Sequence, residues 1–319
     1  MDNIICKTED VTIAGAYPLY GTITLPKGTT GKRPAILFIA GSGMIDRNGY
    51  ATKLRFYFNA YTQMADKISD AGFITLRFDK RGVGQSGGVY SETGMWDRVD
   101  DVEACIKYLE GRPEVDPDRI ILIGHSEGCM LASAVNARHP VSGMILLGGA
   151  AETLKQASER QRKLAMEELM NAKGIKGAFC RLLKADKLAE KQNAKMMGKI
   201  MQSPDDMIKF NFMKLNAKWL REHYLHDVVE DLKKAVCPVL AITGSRDCQA
   251  DPERIKGIPG MVPGGEYRII DDMDHSLKSY KGELYVNGIV KQYKLSEKEP
   301  VHPALEKTIL DWLSNNFKA

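Results

Sequence analysis

The sequence predicts an α/β protein in which helices flank a mostly parallel central sheet. Short apolar runs that are typical of buried strands recur along the chain, and amphipathic helical patterns separate several of them. Strands and helices that alternate in this way form a sheet covered on both faces. With 319 residues, of which 44% are hydrophobic, the chain is long enough for one large core.

Each element follows from a local pattern. Residues 11–25 alternate between apolar and polar side chains, which predicts an antiparallel hairpin at the start of the sheet. In the helix predicted over 97–109, Val99, Val102 and Ile106 fall on one face. Buried strands are predicted at 35–40, 73–78, 120–124, 144–147 and 239–243.

The 151–232 segment differs from the rest of the chain. It lacks strand-like runs, holds 7 of the 15 methionines, and carries 16 Lys and Arg against 12 Asp and Glu. This composition predicts helices. Because the strand pattern resumes at 239, we interpret the segment as a helical cap inserted into one domain, whose core comprises 1–150 and 233–319.

Two patterns near the C-terminus predict further structure. Asn287 and Gly288 separate apolar runs at 283–286 and 289–293, which favours a β-hairpin with a type I′ turn. A last amphipathic helix is expected over 303–317.

Composition excludes several classes of protein. A net charge of +4 without a basic cluster argues against a nucleic-acid partner and favours a small-molecule substrate. The six cysteines are scattered, which predicts reduced thiols and no metal site. The N-terminus lacks a signal-peptide pattern and no apolar run reaches membrane-spanning length, so we expect a cytoplasmic protein without stable membrane insertion. The oligomeric state is left open.

A candidate nucleophile lies in residues 124–128, GHSEG, which fit the pattern G-x-S-x-G. An apolar strand precedes this stretch and a helix of small residues follows it. A serine on so sharp a turn projects its hydroxyl beyond the end of the sheet. The N-terminus of the following helix and the Glu127 N–H are candidates for stabilising an oxyanion.

Partners for Ser126 follow later in the chain. A serine hydroxyl needs a base and a group that orients the base. Asp247 comes just after the strand at 239–243, and His275 follows the next strand-like run at 266–270. Both positions lie at the edge where α/β sites form. Asp251 and His302 are the alternatives to these two residues.

Further stretches carry a resemblance to a known family. They are IAGSGMIDRNG at 39–49, RFDKRGVGQS at 77–86 and CPV at 237–239. With the GHSEG elbow they make the chain similar to the α/β-hydrolases, specifically the bacterial carboxylesterase branch described as serine-aminopeptidase-like or dipeptidyl-aminopeptidase-like. The resemblance covers nearly all of the core and implies the α/β-hydrolase fold.

The resemblance also implies roles for individual residues. Ser126 is expected to be the nucleophile, His275 the general base and acid, and Asp247 the carboxylate that orients it. The second oxyanion N–H is expected from Ser42 or Gly43. No metal or organic cofactor is implied. Two positions depart from the family, since Ala40 replaces a common histidine and Met44 a common proline.

Three sets of residues have competing interpretations. Residues 82–87 match G-x-G-x-x-G, but no helix follows at once, so we predict a tight loop without a nucleotide. The charged groups at 46–47 and 79–81 are interpreted as ion pairs bracing two loops, with anion binding as the alternative. A substrate pocket is expected from apolar side chains at Met44, Met196, Met197, Met201, Phe212, Met213 and Trp219.

The leading hypothesis is a serine hydrolase that cleaves small-molecule carboxylic esters through an acyl-enzyme. A thioesterase, an acyltransferase or a small peptidase would use the same three residues. Two hypotheses from other functional classes remain open. The protein could be a ligand sensor on a hydrolase scaffold, or an interaction protein that docks through its basic cap.

Overall fold

The computed structural model describes residues 6–28, 31–51 and 54–317. Eight strands form one sheet in the order β1-β2-β6-β3-β7-β8-β11-β12, and β4 with β5 and β9 with β10 form two small hairpins. The strands are β1 (Lys7–Ile13), β2 (Leu19–Leu25), β3 (Arg33–Ile39), β4 (Tyr50–Ala51), β5 (Phe56–Tyr57), β6 (Ile74–Phe78), β7 (Val115–His125), β8 (Gly143–Leu147), β9 (Met207–Phe210), β10 (Met213–Asn216), β11 (Val239–Gly244) and β12 (Glu266–Ile270).

Helices cover both faces of the sheet. They are α1 (Ala60–Asp70), α2 (Met95–Glu110), α3 (Glu127–Arg138), α4 (Leu154–Met170), α5 (Gly174–Leu182), α6 (Ala185–Gln202), α7 (Ala217–Leu225), α8 (Val228–Leu232), α9 (Ile258–Met261), α10 (Ile289–Leu295) and α11 (Pro303–Asn316). None of these described helices is long and apolar enough to cross a membrane.

The predicted fold class is confirmed. In the eight-stranded sheet, the neighbouring strands β6, β3, β7, β8, β11 and β12 pair in parallel, and β1 and β2 add an antiparallel hairpin at one edge. Along β7, Leu122 packs with α2 and α3 on one face, whereas Ile121 and Ile123 pack with α1 and α11 on the other. This alternation follows from the two-residue period of a strand, and it explains why β7 reads as a continuous apolar run.

The 151–232 segment lies between β8 and β11, which are neighbours in the sheet. It contains α4 to α8, as its composition predicts, together with the β9–β10 hairpin, which the expectation of helices alone missed. Asn211 and Phe212 have φ angles of 46° and 67°, so both central residues of this turn have the positive φ that a type I′ turn requires.

The hairpin predicted over 283–293 is wrong. Residues 283–286 form no strand, and Ile289–Leu295 form α10. The side chain of Glu168 on α4 accepts hydrogen bonds from the N–H groups of Val286 and Asn287, at 3.0 and 3.1 Å. These tertiary contacts occupy the backbone donors that a strand would need, and Gly288 begins a helix instead.

Candidate active site

Ser126 occupies a strained turn between β7 and α3. Its φ and ψ angles are 55° and −120°, outside the regions that a serine prefers. The flanking glycines make the turn possible, because a Cβ on Gly124 would lie 2.3 Å from the Gly128 carbonyl oxygen. A Cβ on Gly128 would lie 2.1 Å from the Ile39 carbonyl oxygen. The strand, elbow and helix therefore have the local geometry that places a hydroxyl at the edge of the sheet.

Asp247 and His275 lie at the same edge, in the loops after β11 and β12. The Nδ1 atom of His275 is 2.8 Å from Oδ2 of Asp247, and both side chains are buried. The other oxygen, Oδ1, accepts hydrogen bonds from the N–H groups of Gln249 and Ala250, each at 2.8 Å. The carboxylate is therefore fixed from both sides and aimed at the imidazole.

The environment of His275 favours its charged form. Burial alone would lower the pKa of His275, but the charge and hydrogen bond of Asp247 outweigh it and raise that pKa above its ordinary value. The pair thus stabilises an imidazolium, the species that forms when a histidine accepts a proton from a hydroxyl.

The two alternative partners perform capping roles. Oδ1 of Asp251 accepts a hydrogen bond from the N–H of Glu253, within its own loop. His302 is the N-cap of α11, and its Nδ1 accepts a hydrogen bond from the N–H of Ala304 at 3.2 Å. Neither side chain lines the two cavities that meet at Ser126.

His125 connects the loop after β3 to the histidine after β12. Its Nε2 lies 3.0 Å from the His275 carbonyl oxygen, which can only accept, so Nε2 carries the proton and Nδ1 accepts from the Tyr61 hydroxyl at 2.8 Å. The Tyr61 hydroxyl in turn accepts from the Gly41 N–H at 3.1 Å. Burial, and then the charge of His275, lower the pKa of His125 to about 3, so it remains neutral.

Lys80 is hydrogen-bonded to the backbone of the loop at 41–43. Its buried ammonium donates hydrogen bonds to the carbonyl oxygens of Gly41 and Gly43, at 2.5 and 2.6 Å. Burial, followed by repulsion from Arg98, lowers the pKa of Lys80 to about 7. This lysine supplies a side-chain support for the loop although the histidine common at position 40 is absent.

The N–H groups of Ser42 and Gly43, the two predicted oxyanion donors of this loop, differ in whether another group already accepts their hydrogen bond. The N–H of Gly43 donates to the Tyr90 hydroxyl at 3.0 Å. Within the described part of the chain, no group accepts a hydrogen bond from the Ser42 N–H. Ser42 therefore keeps a free donor beside Ser126, and Gly43 does not.

Buried ion pairs brace these loops, as the sequence predicted for the charged groups at 46–47 and 79–81. Nη1 of Arg47 lies 2.6 Å from Oδ2 of Asp79, and Oδ1 of Asp79 accepts from the Arg47 N–H at 2.7 Å. Nη2 of Arg81 lies 2.7 Å from Oδ1 of Asp101. Because Arg47 and Arg81 are each paired with a buried carboxylate, these guanidinium groups serve as internal braces rather than as an open anion site.

The Glu127 side chain joins the elbow to the 151–232 segment. Its buried carboxylate lies 3.0 Å from Nη1 of Arg98, accepts from the indole N–H of Trp219 at 2.6 Å, and lies 3.1 Å from Nε2 of His223. Burial would raise the pKa of Glu127, but Arg98 and His223 hold it well below its ordinary value. Sequence reasoning used only the N–H of this residue and missed its carboxylate.

Two cavities of about 160 Å³ each meet at Ser126 and His275. Apolar side chains from α1, α10, the β4–β5 hairpin and the loops that flank this hairpin bound the aromatic cavity, namely Ile45, Leu54, Phe56, Phe58, Tyr61, Val290 and Tyr293. The polar cavity is bounded mainly by α4 and the loop after β11, including Glu152, Leu154, Ser158, Gln161 and Gln249. Ser42 lines both.

The predicted pocket residues lie elsewhere. Met196 and Met197 pack on a small cluster of Ile200, Ile208 and Ala217 within the 151–232 segment. Met201, Phe212 and Met213 are exposed, and Met44 is partly buried next to Ile45. Trp219 contacts Glu127 instead of the cavities. The apolar lining of the aromatic cavity comes mainly from the core, where local sequence patterns gave no indication of a pocket.

No group of three or more His, Cys, Asp or Glu within residues 6–28, 31–51 and 54–317 is arranged to hold a metal ion.

Comparison with known proteins places this geometry in a family. Residues 54–279 match the family model described as serine aminopeptidase, S33. Esterase EstD of Thermotoga maritima is 25% identical over 281 residues, which cover 87% of this chain and 61% of EstD, so the match spans about three fifths of that relative. Proline iminopeptidase PfmaB of Pestalotiopsis fici is 26% identical over 73% of this chain and 84% of its own.

Solved structures share the fold. Est1E of Butyrivibrio proteoclasticus, determined with ferulic acid bound, superposes with a TM-score of 0.61 at 18% identity, covering 95% of this chain and 99% of its own. The Pyrococcus furiosus esterase Pf2001 gives a TM-score of 0.58 at 16% identity, covering 98% and 92%.

Proposed function

The chain belongs to the serine aminopeptidase S33 family of the α/β-hydrolase superfamily, and from this premise we propose that it is a serine hydrolase that cleaves carboxylic esters through an acyl-enzyme. One observation carries the proposal. Ser126, held in a strained turn, lines the same two cavities as His275, whose imidazole is hydrogen-bonded to Asp247.

The proposed reaction has two steps. His275 takes the proton from Ser126 as Oγ attacks the ester carbonyl, and Asp247 stabilises the imidazolium that forms. The N–H groups of Glu127 and Ser42 stabilise the oxyanion. The imidazolium then protonates the leaving alcohol, and the same histidine activates the water that releases the acid.

An ester is a better candidate substrate than a peptide amino terminus. A substrate ammonium group needs a carboxylate with a free oxygen, and Glu127 and Glu152 are the acids that line the polar cavity. Arg160 donates to both oxygens of Glu152, at 3.0 and 3.2 Å, and Glu127 is held by Arg98 and Trp219. Because both carboxylates already have partners, the cavity suits a neutral substrate.

The two cavities suggest how an ester is oriented. We assign a compact apolar group to the aromatic cavity and the more polar part of the substrate to the cavity beside α4. The 151–232 segment, which supplies α4, is the proposed cap over the polar side.

Ester hydrolysis and active-site labelling test the proposal. The wild type should hydrolyse p-nitrophenyl esters and prefer short or aromatic acyl groups to long chains, whereas amino-acid p-nitroanilides should be poor substrates. It should also react with a fluorophosphonate probe.

Ser126→Ala should lose labelling and lower kcat by a factor on the order of 10⁶. Ser158→Ala, which removes another cavity hydroxyl, is the matched control and should retain both properties. A faster reaction with the anilides than with the esters would favour the aminopeptidase alternative, and labelling that persists in Ser126→Ala would exclude this nucleophile.

A further inference from the structure

An apolar ridge projects from α5 in the 151–232 segment. Its four side chains are exposed although all are large and hydrophobic: Ile175 is 89% exposed, Phe179 58%, Leu182 77% and Leu183 53%. Their spacing of four, seven and eight residues from Ile175 places them on one face of a helix. Scattered surface leucines are ordinary, but four on one helical stripe form a continuous patch.

The ridge faces away from the body of the protein. Gly177 is the buried residue of α5, and a Cβ at this position would lie 1.8 Å from the Ala172 carbonyl oxygen. The side chain of Arg181 on the same side donates to the Met170 carbonyl oxygen at the end of α4. Since a helix turns 100° per residue, this attached side lies opposite Ile175 and Phe179.

Positive charge surrounds the ridge. Residues 172–185 contain three lysines, Lys173, Lys176 and Lys184, besides the attached Arg181, and no acidic residue, and Asp186 and Lys187 follow directly. All five basic side chains are exposed. Within the described chain, none of the four lysines forms an ion pair with a carboxylate.

We propose that the α5 ridge docks on the surface of an anionic lipid bilayer, with its apolar side chains in the headgroup and acyl boundary and its lysines beside lipid phosphates. Short helices with an apolar face and flanking cations bind such surfaces, and anionic lipid adds attraction for each basic side chain. A second copy of the chain fits less well, because a symmetric contact through this face would bring both sets of cations together.

The position of α5 connects the ridge to the site. Helix α4 contributes Leu154, Ser158 and Gln161 to the polar cavity, and its far end is followed by α5. At 17 residues, α4 spans about 25 Å. A bilayer contact at α5 would therefore lie next to the end of α4, the helix that bounds the polar cavity.

Vesicle co-sedimentation tests the proposal with the full-length protein. The vesicles contain phosphatidylcholine alone or phosphatidylcholine with about 30% phosphatidylglycerol. We expect binding to the anionic vesicles only, and weaker binding as salt concentration rises.

Two double variants separate the contributions of apolar and charged groups. Phe179→Ser with Leu182→Ser, and Lys176→Glu with Lys187→Glu, should each weaken partitioning at least about tenfold. The controls, Val236→Ser with Leu295→Ser and Lys294→Glu with Lys298→Glu, change equally exposed residues outside the ridge and should bind like the wild type. Thermal unfolding and hydrolysis of a soluble ester establish that each variant is folded.

Absent binding to anionic vesicles, or ridge variants that bind like the wild type, would overturn the proposal. Light scattering provides a separate arm. A wild-type dimer that the Phe179→Ser, Leu182→Ser variant converts to a monomer, without vesicle binding, would assign the ridge to self-association and also reject the membrane surface. Ester hydrolysis by Ser126 is measured independently, so either proposal can fail alone.

Discussion

The carboxyl edge of the sheet and the 151–232 segment differ in how completely their side chains are buried and paired with partners. At the sheet edge, Lys80, His125 and Asp247 are buried, and each has a hydrogen-bond partner on another element or loop. In the 151–232 segment, a cluster of three buried apolar residues packs with partly buried neighbours, and α5 leaves large apolar side chains exposed.

This difference indicates how well each region tolerates amino-acid substitution. Substitution in the interlocked network removes partners from buried groups, which is costly because a buried polar atom without a partner loses its hydration as well. Substitution on the exposed face of the 151–232 segment removes few contacts. The sheet edge is therefore suited to fixed chemistry, and the segment to variation in access and docking.

The largest effect within this comparison is expected at Asp247. Asp247→Asn should lower kcat/KM by a factor on the order of 10⁴, because the imidazole loses the carboxylate that holds its tautomer and charge. The acid limb of the pH profile should also move. The proposed reaction requires neutral His275, whose pKa the carboxylate raises, so the wild-type limb should lie above pH ~6.5. Without the carboxylate, burial lowers that pKa and the limb should move to lower pH.

Asp251→Asn is the control for this measurement and should change neither kcat/KM nor the acid limb, because Asp251 caps its own loop. Equal losses in the two variants would show that Asp247 is not the carboxylate that orients His275.

A smaller loss is expected at Lys80. Lys80→Met removes the two hydrogen bonds to the carbonyl oxygens of Gly41 and Gly43 and releases the loop that carries the Ser42 N–H. A misplaced oxyanion donor costs about 10²-fold in kcat. Stopped-flow or steady-state hydrolysis should show this loss in kcat with a nearly constant KM.

Lys256→Met, which removes an exposed lysine paired with Glu253, should leave kcat unchanged. If Lys80→Met keeps kcat within twofold of the wild type, the lysine does not position the oxyanion loop.

The smallest effect is expected where the two regions join. Trp219→Phe removes the indole hydrogen bond to Glu127 but leaves Arg98 and His223 beside the carboxylate. The free energy of unfolding should fall by about 1–2 kcal/mol, measured by urea denaturation. Trp96→Phe, whose indole packs on His226, is the control. An unchanged unfolding midpoint in Trp219→Phe would mean that the segment is not coupled to the elbow through this bond.

Local patterns predicted the parts of the molecule that depend on neighbouring residues. The buried strands and the elbow at Ser126 are contiguous in sequence, and the fold class followed from them. The roles of Lys80 and Tyr90 depend on backbone atoms of Gly41 and Gly43, about 40 residues away, and no local signal indicates such contacts.

The incorrect or missed elements have the same origin. Asn287 and Gly288 are a strong turn signal, but Glu168 on a distant helix takes the backbone donors that the hairpin needed. Conversely, the β9–β10 turn uses Asn211 and Phe212, and phenylalanine at a positive φ is not a recognisable turn residue. In both places tertiary contacts or backbone strain override local preference.

The chain of hydrogen bonds from the Gly41 N–H through Tyr61 and His125 to the His275 carbonyl also has an evolutionary consequence. Phenylalanine at position 61 would leave Nδ1 of His125 and the Gly41 N–H without partners, and an apolar residue at 125 would leave the tyrosine hydroxyl without its acceptor. Either substitution alone is therefore expected to lower the stability of the protein. Among homologues, positions 61 and 125 should be inherited as a pair, and lineages that lose one should have replaced the other.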